Sequence, residues 1–279
     1  MDQPETDLPA LFAVRGQTAV VTGGGGALCS VMSRALAQAG VRVAILDLNG
    51  QAAESVAGDI QAAGGQAVGL ACNVLERADV ERAAVAVLAS LGPVDILVNG
   101  AGGNHPRATT SAEHPFFDLE TEAVSWVFDL NFLGTVQCCQ VIGRGMAERG
   151  QGCIVNVASM SSLRPLTRIP AYSAAKAAVA NFTQWLAVHM AREYSPRIRV
   201  NALAPGFFIT EQNRFLLQEA ASGELTERGR RILDHTPAGR FGVPADLLGA
   251  LLWLVSPAAA FVTGIVLPVD GGFSAFSGV

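Results

Sequence analysis

Thr18-Ala19-Val20-Val21-Thr22-Gly23-Gly24-Gly25-Gly26-Ala27-Leu28-Cys29 decides how the rest of the chain is to be read. Thr18–Val21 is a short apolar run of the kind that suits a strand buried on both faces of a parallel sheet. Four glycines follow, and Leu28–Ala39 then carries its apolar residues at helical spacing before Gly40. A glycine-rich turn that opens a helix offers bare backbone N–H groups and the positive end of the helix dipole, an arrangement suited to a pyrophosphate. Taken by itself, such a turn is equally a flexible connection, so the neighbouring segments must decide.

They repeat the alternation. Short apolar runs recur at Val41–Leu46, Gln66–Cys72, Ile96–Val98, Cys153–Val157, Ile198–Ala202 and Ile265–Val269. Between them lie helical patterns at Gln51–Ala63, Arg77–Ser90, Glu122–Glu148, Ala171–Glu193 and Ala245–Val255. Strand and helix in strict alternation predict a doubly wound α/β sheet of about seven parallel strands with helices on both faces. With no repeat and no linker, residues 15–279 form one expected domain behind an N-terminal tail, residues 1–14. Phe207–Arg240 breaks the rhythm after the sixth strand and is rich in charge; its place at a strand's carboxyl end suits a lid over a substrate, the alternative being a solvated helical pair.

Composition excludes several classes of function. Half of the residues are apolar and 15% are charged, which rules out a disordered chain. Nineteen basic against 24 acidic residues leave a net charge of −5 with no basic cluster, so nucleic acid is not an expected partner. No apolar run reaches the ~18 residues of a membrane span, and the acidic first residues lack the pattern of a secretory signal. The five cysteines have no CxxC spacing, which predicts reduced thiols in a cytoplasmic protein and no metal site.

Asp47 ends the second strand, 25 residues after Thr22, where a carboxylate accepts the ribose hydroxyls of an adenosine and repels a 2′-phosphate. No base stands nearby to offset it, so NAD is the expected cofactor rather than NADP. The set expected around it is Thr22, Gly23, Gly25, Gly26, Ala27, Leu28 and Asp47, with Asn73 and Val74 after the third strand and Asn99, Ala101 and Gly102 after the fourth.

At the other end of the sheet's upper edge, the fifth strand runs into Ala158-Ser159, and Tyr172-Ser173-Ala174-Ala175-Lys176 follows. Tyr172 and Lys176, four apart, share a helix face, so the ammonium is expected to draw the phenol's pKa down and make it a general acid–base. Ser159 then hydrogen-bonds the substrate oxygen. Asn131 sits inside a long helical pattern where propensity disfavours it, and is expected to hold a water that links Lys176 to solvent.

These motifs together resemble the short-chain dehydrogenase/reductase family over residues 15–279. They are the turn from Thr22, Asn99-Gly100-Ala101-Gly102, Asn131, Ser159, Tyr172 with Lys176, and Pro205-Gly206 with Thr210. The resemblance implies a Rossmann-type fold, ketone–alcohol chemistry with a nicotinamide cofactor, cofactor contacts from Pro205, Gly206, Phe208 and Thr210 as well as Tyr172 and Lys176, and a homotetramer or homodimer. Two turn glycines of the family correspond to Ala27 and Cys29, and Cys29 adds bulk where helix and strand pack. Gly102-Gly103-Asn104-His105-Pro106, Ser161–Thr167, Thr210–Phe215, His235-Thr236-Pro237 and Gly271–Val279 resemble the branch called D-mannonate oxidoreductase or fructuronate reductase. That implies an acidic polyol substrate. Asn104, His105, Asn213 and Arg214 supply donors beside Ser159 and Tyr172, and Arg164 supplies a guanidinium for a carboxylate. A 3-oxoacyl thioester or neutral sugar reductase shares the same catalytic set, and a nucleotide sensor without chemistry would keep only the sheet.

Overall fold

Successive residues of the first strand, β1 (Thr18–Thr22), face opposite layers of the computed structural model, which describes residues 7–210, 214–219 and 223–278. Ala19 and Val21 enter one apolar cluster with Met32 and Leu36, whereas Val20 enters another with Leu97, Ile142 and Met146. This period of two is what an apolar run needs when both faces of its sheet are covered.

Six more strands complete the sheet: β2 (Arg42–Asp47), β3 (Ala67–Ala71), β4 (Ile96–Asn99), β5 (Gly152–Val157), β6 (Ile198–Pro205) and β7 (Val266–Val269). All pairings are parallel, in the order β3-β2-β1-β4-β5-β6-β7. Helices α2 (Ala27–Gln38), α3 (Gly50–Ala62) and α10 (Leu248–Val255) cover one face. On the other lie α4 (Arg77–Leu91), α6 (Gly134–Arg149) and α7 (Pro170–Glu193). The strand order reverses between β1 and β4, so their carboxyl ends splay apart and open the crevice in which such sheets bind ligands.

The Rossmann-type doubly wound fold is as expected, with four local differences. The edge strands β3 and β7 are only partly buried, because each has one neighbour. β6 runs on to Pro205, three residues beyond the apolar run that announced it. Val14, assigned to the tail, is buried in the core after a single helical turn, α1 (Leu8–Leu11). The long helical pattern at Glu122–Glu148 is divided into α5 (Thr121–Phe128), a π-helical turn at Asp129–Leu133, and α6.

Between β6 and α10, the described residues include α8 (Arg214–Leu217) and α9 (Glu227–Asp234). Leu217, Ile232 and Phe241 form a small apolar cluster there, with Phe207 and Phe273 against it. The segment therefore has its own packing and rests on the C-terminal stretch. Among the described residues no helix is long and apolar enough to cross a membrane.

Candidate active site

The glycine turn is closed by a carboxylate. Asp47, at the end of β2, accepts from the N–H of Gly25 at 3.0 Å through one oxygen and from that of Asn49 at 2.9 Å through the other. Each oxygen keeps acceptor capacity for a further donor. Gly26 is the N-cap of α2 and no side chain caps that end, so the first-turn N–H groups face outward with the positive end of the dipole. An uncapped N-terminus beside a strand-end carboxylate is the donor and acceptor set that a dinucleotide requires, and the residues present fit one.

Several other residues expected to face a cofactor turn their side chains inward. Thr22 is buried, and its hydroxyl accepts from the N–H groups of Gly100 and Ala101 at 3.1 and 3.2 Å, bracing the β4 loop. Asn99 is buried beneath the sheet and donates to Asn156 at 2.8 Å, which in turn donates to Thr183 on α7 at 2.9 Å. Val74 packs on Gly134 of α6, and Phe208 lies in the core against Gly242. Asn73 uses its side-chain oxygen on the N–H of Leu75. The reason is common to Thr22, Asn99, Val74 and Phe208: a strand end or tight turn alternates its side chains, and only one of the two directions opens on the crevice. Gly206 follows β6, with its N–H on the carbonyl of Val269.

At the carboxyl end of β5, Ser159 is largely buried and its Oγ accepts from the N–H of Ser161 at 3.2 Å. Tyr172 and Lys176 lie one turn apart on α7, with Nζ 5.7 Å from the centre of the phenol ring. Lys176 is buried and donates to the carbonyl of Val157 at 2.7 Å. Burial draws its pKa from 10.5 down to about 8. Burial also raises the Tyr172 phenol, and the Ser159 hydroxyl beside it opposes that rise. This corrects the expectation that Lys176 lowers the phenol. The ammonium commits one of its three donors to the Val157 carbonyl, and at the resting phenol desolvation is the larger effect.

Asn131 is fully buried in the π-helical turn. Its amide donates to the carbonyls of Gly103 and Val127, both at 2.7 Å, and its oxygen accepts from the N–H of Gly103 at 3.2 Å. The side chain thus makes three hydrogen bonds to backbone groups. The extra residue of the π turn carries it out of the helix to pin the loop after β4. A Cβ on Gly102 would sit 2.5 Å from that Asn131 oxygen and 3.1 Å from Lys176 Nζ, so only glycine lets the loop close over both.

On the substrate side the candidates divide. Asn104 donates to Thr109 at 2.8 Å, and His105 caps a short turn through the N–H of Arg107 while its ring meets Trp126 edge-on. Both are locally engaged. Arg214 opens α8 and is exposed; Asn213 lies outside the described residues. Arg164 gives its Nε to the carbonyl of Ser274 at 3.2 Å, tying the stretch between Ser159 and Tyr172 to the C-terminal segment. It also lines a cavity of about 380 Å³ with Arg168, Phe207, Arg228, Arg231, His235 and Phe273. Nothing in the local sequence pattern marks Arg228 above the neighbouring arginines of α9.

Residues 17–221 match the short chain dehydrogenase family. The uncharacterized oxidoreductase UxuB of Bacillus subtilis is 48% identical over 98% of this chain and all of its own. A solved structure from Haemophilus influenza, described as a candidate D-mannonate oxidoreductase with bound NAD, superposes with a TM-score of 0.91 at 44% identity, covering 98% of this chain and 100% of that one. The 7alpha-hydroxysteroid dehydrogenase of Escherichia coli is 32% identical over 92% of this chain and 94% of its own. With its seven-stranded parallel sheet, its glycine turn and its Ser159, Tyr172 and Lys176 at one end of that sheet, the chain is an oxidoreductase belonging to the short chain dehydrogenase family.

Proposed function

We propose that this protein interconverts a ketone and a secondary alcohol with NAD(H), and that its substrate is a keto-uronate, D-fructuronate being reduced to D-mannonate. The observation that carries the chemistry is the meeting of Ser159, Tyr172 and a Lys176 whose pKa burial sets near 8. Bound at the Gly23–Leu28 turn and Asp47, the nicotinamide cofactor supplies hydride for reduction and accepts it for oxidation. Ser159 orients the substrate oxygen by a hydrogen bond. Tyr172 gives that oxygen its proton as the carbonyl is reduced and takes it back in the reverse direction, the role of a general acid–base. Lys176, beneath it, stabilises the phenolate left behind and passes the proton on, while Asn131 holds the 102–103 loop in place.

NAD rather than NADP is supported by Asp47, whose charge opposes a 2′-phosphate, and by the NAD in the Haemophilus influenza structure. The keto-uronate is supported by the likeness to that D-mannonate oxidoreductase candidate and by the arginines around the cavity at the lid. On this reading residues 15–279 act as one unit, 207–240 as its lid, in a cytoplasmic dimer or tetramer paired through α6 and α7, where exposed Trp185 and Tyr194 flank an apolar groove. The second reading is a reductase of a neutral or apolar ketone, favoured by the steroid-directed relative.

The deciding test follows NADH at 340 nm with the pure protein against fructuronate, a neutral keto-sugar, an acetoacetyl thioester and an oxo-steroid. Turnover of fructuronate above the others is the expected result, and preference for any of the uncharged substrates overturns the assignment.

A further inference from the structure

We infer that Arg168 and Arg228, brought to one cavity from the β5–α7 connection and from the lid, bind the oxyanion of a small polyol substrate. The inference rests on the proposed carbonyl chemistry for its setting and adds the residues that would select for charge. Among the described residues, four arginines and a single acid, Glu227, line this cavity. That acid is taken, since Glu227 pairs with Arg231 at 2.5 Å one helical turn away. Arg164 is partly used on Ser274. Among the described residues neither Arg168 nor Arg228 has a carboxylate partner.

Arg228 is placed where an anion is favoured, and Arg168 stands exposed beside it in the wall. Arg228 is the second residue of α9, in the first turn, where the helix dipole already presents its positive end and favours negative groups. Arg168 has φ +72°, the only positive φ of a non-glycine among the described residues, and is held there by the Thr110 N–H on its carbonyl at 2.8 Å. A left-handed backbone at a non-glycine residue is a strain of the kind that functional sites retain. Half-buried, Arg228 is made less basic by that burial and by the charge of Arg168. Two guanidiniums and a helix N-terminus, with the described acid of the lining paired to Arg231, make a receptor for a carboxylate or a phosphate. The wall is built from the segments that lead into α7 and out of β6: Arg168 stands four residues before Tyr172, and Phe207 follows the end of β6. At about 380 Å³ the cavity has the size of a small-molecule site.

The test is calorimetric titration of the full chain in the presence of NADH with D-mannonate, D-mannitol 1-phosphate and D-mannitol. Mannonate or the phosphate should bind well above mannitol, and whichever binds names the oxyanion. Arg168→Gln and Arg228→Gln should each weaken that ligand by about tenfold or more, leaving the weak mannitol signal alone, with Arg228→Lys intermediate. Circular dichroism checks the fold of each variant, and Arg228→Lys serves as the reading should a glutamine variant not fold. Equal binding of mannitol and both anions, no anion binding at millimolar concentration, or a loss confined to Arg164→Gln overturns the inference. Arginine-dependent mannonate binding without any change at 340 nm leaves the inference standing and removes the proposed reaction, so the two failures are distinct.

Discussion

The thiol of Cys29 occupies the space that a side chain at position 100 would need: a Cβ built on Gly100 collides with the sulfur. Cys29 is buried in the first turn of α2, and its apolar surroundings push the thiol up to about 12, so it acts as a small neutral hydrophobe. The bulk that Cys29 brings to the glycine turn is accommodated by the absence of a side chain across the crevice, and the turn stays closed on Asp47.

Gly100→Ala should therefore destabilise the protein by about 1–3 kcal/mol, the usual cost of overpacking. Cys29→Gly in that background should recover part of the loss. The recovery is partial because the new methyl also meets the carbonyl of Thr22 at 2.8 Å. Chemical denaturation of the two single variants and the double variant measures the coupling; simple additivity would show that the two positions do not compete for space.

Tyr172→Phe keeps the ring that packs on Ala108 and Val127 and removes only the hydroxyl. Turnover should fall by roughly 10² or more, the scale of general acid–base catalysis, with NADH affinity nearly unchanged in a fluorescence titration. A variant that retains most of the wild-type rate would take Tyr172 out of the mechanism.

The lowered pKa of Lys176 makes a signed prediction about stability. Between about 8 and its ordinary 10.5 the unfolded chain binds a proton that the folded chain has released, so this group adds stability as pH rises through that window. The buried cysteines act oppositely: Cys29 and Cys139 rise to about 12 and Cys72 to about 11, so their contribution is lost as pH rises above 9. The two trends separate in a comparison with Lys176→Met. The stability of wild type relative to that variant should climb by at most about 3 kcal/mol from pH 8 to 10. A flat difference across that range would mean that the folded ammonium titrates as an ordinary lysine.

Asp47→Ala should weaken NADH binding and narrow the gap to NADPH, since the repelling charge is gone. The N–H of Gly25 also loses its acceptor, so a small loss of stability, about 1 kcal/mol, should accompany the change. Titrating both cofactors against wild type and variant by nicotinamide fluorescence checks it. A wild-type protein that already prefers NADPH would contradict the reading of this carboxylate.

Much of this could be read directly from residue order. The alternation of apolar runs and helical patterns determined a doubly wound sheet, because a strand buried on both faces and an amphipathic helix each impose a period that no other element shares. The glycines before α2, the acid at the end of β2 and the spacing of Tyr172 and Lys176 are local relations, written within a turn or a strand. What only the tertiary structure decided was direction and partnership. The inward turn of Thr22, Asn99, Val74 and Phe208 follows from which face of a strand end meets a neighbouring layer. The commitment of Asn131 to Gly103 needs a π turn that propensity does not announce. The shifted pKa values of Lys176 and Tyr172 depend on how dry their surroundings are, a property of packing rather than of spacing. Arg168 and Arg228, sixty positions apart, line one cavity because α9 packs beside the β5–α7 connection, and a long-range relation of that kind leaves no period in the chain.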